Sequence, residues 1–125
     1  MKRLLFALCT VSWLSACAPE VYRTVTQFTP VTDEGRQNVL RVRDSVTVKL
    51  DTGYTRVIMA GSAWRFVGTI PQGRVFRPVD DVFSIEGANV HEAHLVLDSG
   101  RLVGFYLPVE GAFSPVTRRV RVRFD

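Results

Sequence analysis

Residues 93–107 read Ala93-His94-Leu95-Val96-Leu97-Asp98-Ser99-Gly100-Arg101-Leu102-Val103-Gly104-Phe105-Tyr106-Leu107. Two runs that are apolar at almost every position flank the turn residues Asp98 to Arg101, the mark of a β-hairpin. A strand with one wet face alternates apolar and polar residues, whereas a strand covered on both faces does not. The hairpin is therefore expected at the centre of a sheet.

On either side of it the chain keeps a period of two, and no window sustains the 3.6-residue period of an amphipathic helix. Leu40, Val42, Val46, Val48 and Leu50 share one parity against Arg41, Arg43, Ser45, Thr47 and Lys49. Asp44 falls on the apolar parity, where an inward carboxylate is costly, so a bulge or bend is expected there. Asp51-Thr52-Gly53 forms a turn and Tyr54 to Ala60 returns as a second strand. Ala63 to Ile70, Arg74 to Pro78 and Val82 to Ile85 read as further strands, with Gly68 marking a bend or a close backbone approach. Pro108 to Pro115 reads as a loop. The chain ends on a strand with Val120, Val122 and Phe124 on one face and Arg119, Arg121 and Arg123 on the other.

Short strands with frequent turns and no helices between them point to an all-β domain: a small antiparallel barrel, SH3-like or similar, or a sandwich, of about six to eight strands. Closing the sheet would remove its edges. The expected core is Val46, Val48, Trp64, Phe66, Leu95, Leu97, Val103 and Phe105.

The amino terminus is of another kind. Met1-Lys2-Arg3 is basic, Leu4 to Leu14 is almost wholly apolar, and Ser15 and Ala16 are small, the layout of a secretory signal peptide. The apolar run is too short to span a bilayer, which takes about 20 residues. Leu14-Ser15-Ala16-Cys17 resembles the lipobox of bacterial lipoproteins. That resemblance, confined to the first 17 residues, implies cleavage before Cys17, acyl chains on Cys17, and attachment to a membrane that multiple chains make permanent. In lipoproteins an Asp after the cysteine commonly signals inner-membrane retention; here the residue is Ala18, so the resemblance implies the outer membrane, with the domain on the periplasmic face. The chain then divides into a signal peptide over 1–16, a lipidated terminus and flexible tether over 17–38, and a single β domain over 39–125. The tether is read from its polar, proline-bearing composition, although Tyr22, Thr24, Thr26 and Phe28 at period two could add a strand to an exposed edge.

Cleavage leaves 14 basic residues against 12 acidic ones, too mild an excess for nucleic acid. With Cys9 in the signal and Cys17 acylated, the mature chain keeps no thiol for a disulfide, a metal or a nucleophile. Ser84, Ser99 and Ser114 occupy plain strand or turn contexts, and no phosphate-binding glycine loop or nucleophile elbow is present. A non-enzymatic module without a cofactor is expected, bound to the membrane through Cys17 and to an envelope protein or glycan.

Two constellations carry binding chemistry. Arg119, Arg121 and Arg123 share a strand face, as do Arg41, Arg43 and Lys49, and same-face residues about 6.8 Å apart form ladders suited to phosphate or carboxylate. Solvated strand faces and charged edges produce the same pattern. The alternative is a periplasmic ligand or metal binder built on His91 and His94 with Asp80, Asp81 and Glu86, side chains of the types zinc and copper take. Its spacing fits no helical metal motif, and catalysis there is expected less still.

Overall fold

A computed structural model describes residues 19–33 and 38–125. Among these residues twelve short strands follow one another: β1 Thr24–Val25, β2 Thr29–Pro30, β3 Leu40–Arg41, β4 Val46–Lys49, β5 Thr55–Ile58, β6 Ala63–Ile70, β7 Gly73–Pro78, β8 Ser84–Glu86, β9 Val90–Glu92, β10 His94–Asp98, β11 Arg101–Leu107 and β12 Ala112–Arg121. The principal sheet is antiparallel in the order β1-β12-β11-β10-β7-β6-β2, with β3 also on β6; β4-β5 and β8-β9 are separate hairpins. The β10-β11 hairpin is central, as its unbroken apolar sequence requires.

That hairpin is apolar on both sides because each face of the sheet carries a core. Trp64, Phe76, Leu95, Leu97, Leu102, Phe105 and Leu107 pack on one face with Val48, Ile58 and Ile85 from the small hairpins. Val67, Val75, Val96, Val103, Tyr106 and Phe113 pack on the other with Phe28. Of the expected core, Val46 and Phe66 are only half-buried, and Val103 belongs to the second cluster. Bulges at Phe66/Gly68 and Leu102/Gly104 shift the register between the two packing faces.

The sheet is strongly curled. Laid flat, β1 and β2 would stand about 29 Å apart, six strand spacings. The four steps from Val25 to Thr29 reach at most about 14 Å, yet Thr24 pairs with Phe113 and Thr29 with Thr69. At a second place Val42 bridges Phe124, with Arg43 N donating to Arg123 O at 2.8 Å and Asp125 N to Arg41 O at 2.9 Å. A hydrogen-bonded circuit thus runs through β3, β6, β7, β10, β11 and β12, and the architecture is barrel-like, not a sandwich of two stacked sheets.

Three expectations need correction. Residues 19–33 are a strap on the domain, not a free tether: Val21 is 3% exposed in the larger core, and the Phe28 ring stacks on Tyr106 at 5.1 Å. Gly68 makes room for it, since a Cβ there would lie 2.6 Å from that ring. The loop after β11 is only Pro108–Gly111, and Pro115 lies within β12. Pro115 is tolerated because it is the last paired position before the bulge, opposite Gly104, where the ladder is already interrupted. The Leu40–Leu50 stretch is divided between β3 and β4, bending at the expected Asp44. Cys17 and the lipobox lie outside the described residues.

Candidate functional site

The alternation at the carboxyl end places Val122 in the core and leaves Arg119, Arg121 and Arg123 exposed. The Val42–Phe124 bridge then does what neither strand could do alone. In antiparallel pairing it sets Arg43 opposite Arg123 and Arg41 opposite Asp125, so the two sequence-distant ladders become one surface. A further arginine joins them. Arg101, at the start of β11, pairs directly with Arg121. It was invisible as a site residue in sequence, where it reads only as the last residue of a turn. Ser99 and Gly100 both adopt positive φ, as a two-residue hairpin turn demands, and that tight turn is what brings Arg101 into register beside β12.

Like charges directly opposite one another across a β pair are destabilising. This surface holds two such pairs, Arg101 with Arg121 and Arg43 with Arg123. The compensating acids are sparse: Asp98 faces Arg101 across the hairpin, and Asp125 Oδ1 is 4.0 Å from Arg43 Nε. Arg41 is directed by a hydrogen bond from Nη1 to Gly61 O at 3.1 Å. Arg119 stands apart, on the bulge of β12, where it lines a shallow groove with Val103, Phe113 and Thr117. Lys49 is on β4, in a different sheet.

Beside Arg41 opens a cleft of about 410 Å³, floored by Trp64 and Phe83 and edged by Arg56, Asp80 and Asp81. Arg56 is fixed there: Nε donates to Ser84 O at 2.9 Å and the guanidinium lies 4.2 Å from the centre of the Phe83 ring.

The histidine and acid set does not converge. His91 Nδ1 lies 2.7 Å from Glu110 Oε1, beneath the turn between β11 and β12. His94 sits on the face of the second core near Tyr106, with Nε2 at 3.5 Å from Glu92 Oε1. Asp80 and Asp81 are at the cleft and Glu86 is on β8. Among the described residues no three His, Cys, Asp or Glu side chains are placed to hold a metal ion. Burial pushes the Glu110 carboxyl up, but the hydrogen bonds from His91 and from its own backbone, with the charges of His91 and Arg23, outweigh it and hold the carboxyl below its ordinary value. Burial dominates at His94, aided by Arg77, and lowers its pKa despite the attraction of Glu92.

No family model, curated protein or solved structure matches the chain.

Proposed function

We propose that the protein is a non-enzymatic envelope lipoprotein, anchored at the outer membrane through Cys17, that binds or positions an anionic envelope component through its arginine face. The observation that carries the reading is the juxtaposition of Arg41, Arg43, Arg101, Arg121 and Arg123. Two directly opposed arginine pairs reduce stability, and a guanidinium fork on a rigid strand is well suited to carboxylate or phosphate, because little freedom is lost when it binds. The lipobox supports the anchor. The arginine reading is preferred to the metal-binding alternative because, among the described residues, His91 and His94 are each paired with a different glutamate and do not share a ligand set.

The test is recovery of cross-linked partners from intact envelopes. Arg121→Glu with Arg123→Glu should reduce recovery several-fold at low salt, and raising salt should weaken the wild-type interaction more than the variant's, because exposed charges are screened within about 8 Å at physiological ionic strength. Equal recovery by the two proteins at low and high salt would remove the binding role from this face.

A further inference from the structure

Resting on the lipoprotein reading above, we infer that the domain is held directly on its membrane by one end of the sheet, with Tyr22, Val25, Val90 and Val109 seated in the bilayer surface and the arginine face turned away from it.

The inference begins with the length of free chain. Pro19 O accepts a hydrogen bond from Ala88 N at 3.0 Å, and Asn89 Nδ2 donates to Glu20 Oε1 at 2.8 Å. Gly87 presses on the same segment, for a Cβ there would meet Pro19 O at 2.7 Å and the backbone N of Val21 at 2.8 Å. The chain is therefore docked two residues after the cysteine that would carry the acyl groups. Two residues span at most about 7 Å, against the roughly 25 Å of a coil reaching to residue 38. Such a leash leaves the docking point at the headgroups.

The surface around that point has the composition a bilayer interface accepts. Val25 is 89% exposed, Val109 78%, Val90 65% and Tyr22 60%. Contacts gather three of them at one end, and Tyr22 follows Val21, whose backbone N lies against Gly87 of the same hairpin. Glu86 pairs with Val90 in the hairpin that holds Pro19; His91 on β9 meets Glu110, next to Val109; and Val25 pairs with Ala112, just past the same turn. Isolated exposed valines need no explanation, but four around the exit of an anchored terminus form an apolar rim. Tyr is the kind of side chain enriched at membrane interfaces. Charge at this end is net acidic: Arg23 reaches Glu20 at 3.4 Å and His91 meets Glu110, while Glu86 and Glu92 are exposed, so charge does not drive attachment here. Attachment here is apolar and does not weaken as salt rises, unlike binding at the arginine face.

Orientation follows from the strands. Arg101 and Leu107 are the two ends of β11, about 20 Å apart along it, and Arg121 lies at the matching far end of β12 from Ala112. With the Val109 turn on the bilayer, the arginines face the aqueous space, so the headgroups of the anchoring leaflet are not their partner.

The experiment uses the full-length protein expressed with its signal, purified in detergent, its acylation established by intact mass, and reconstituted into phosphatidylethanolamine and phosphatidylglycerol vesicles. Single cysteines at Val109→Cys, Val90→Cys and, for contrast, Arg121→Cys are labelled with a polarity-sensitive fluorophore. The first two probes should shift to the blue and be quenched by spin-labelled lipid, no less at high salt than at low, while the third stays in water. A chain that is not acylated overturns both the anchor and the seating. An acylated, vesicle-bound protein whose probes at 90 and 109 match the one at 121 overturns the seating alone.

Discussion

Replacing Phe28 by alanine tests whether residues 19–33 belong to the folded domain. The ring is half-buried, stacks on Tyr106 with 5.1 Å between centroids and an interplanar angle of 16°, and packs with the second core. Truncating a fully buried Phe costs about 3–5 kcal/mol, and an aromatic pair contributes about 0.5–1.5 kcal/mol beyond its area. Half-burial brings the expected loss to about 2 kcal/mol. In a domain of this size that lowers Tm by about 10 °C. Gly68→Ala attacks the same contact from the sheet side. Its Cβ would meet the Phe28 ring at 2.6 Å and collide with Thr29 O, so the strap must lift. Urea denaturation and hydrogen exchange of the strap amides supply the readout. Thr26 N and Val31 N, bonded to Gly111 O at 3.1 Å and Val67 O at 3.0 Å, should be protected in the wild type and exposed in both variants. Wild-type stability in Phe28→Ala, together with unprotected amides at 26 and 31 in the parent, would return the segment to a free tether and remove the short leash on which the proposed membrane seating rests.

Stability should fall on acidification in two windows. The folded-state pKa of His94 is lowered from 6.5, so the unfolded chain takes up that proton first; the stabilisation is complete above 6.5 and declines as pH falls below it, and His94→Gln should flatten this part of a urea-midpoint profile. Glu110, lowered from 4.5, contributes stability that is present above 4.5 and is lost as pH falls through its folded value, a loss that Glu110→Gln should abolish. A profile unchanged by either substitution would refute these assignments. Arg121→Glu should raise stability at low salt by about 0.5 kcal/mol, since it turns a like-charge pair with Arg101 into an opposite one on an exposed surface, and the gain should vanish in molar salt. A lower midpoint at low salt would show that Arg101 and Arg121 do not face each other.

What the sequence could reveal depended on whether the cause was local. The hairpin of residues 94–107, the strand from Ala63 to Ile70, the bend at Asp44 and the bulge glycine at 68 all follow from period, turn chemistry and glycine's missing Cβ. The alternation of residues 120–124 placed its arginines outward for the same reason. The strap was legible only in part: the period of two from Tyr22 to Phe28 allowed an edge strand, and β1 does pair with β12, but the anchoring of Val21 and Phe28 in the two cores was not, because composition averages such residues into a polar segment. β9 is only three residues long, below the length at which a period can be recognised. Arg101 became a site residue only through its pairing partner, and the merger of the two arginine ladders hangs on one bridge, Val42 to Phe124, between residues 82 positions apart.

That bridge also links fold to proposed function. Removing the residues after Val122 would take away Arg123 itself and Phe124, which packs against the larger core with its ring centroid 5.7 Å from that of Phe76, and with them the hydrogen bonds that tie Arg41 and Arg43 to the end of the chain. Core packing therefore positions the proposed binding surface: the apolar parity of the terminal strand sets which way its arginines point, and the Val42–Phe124 bridge sets where they meet the residues that follow β3. At the other end of β11 and β12 the requirement is reversed, for there the turn exposes Val109 and keeps its carboxylate, Glu110, bound to His91. A strand pair that is apolar at one tip and cationic at the other would stand on a lipid-anchored end with its charge directed into water. On that proposal an anionic partner would approach from the side opposite the anchor.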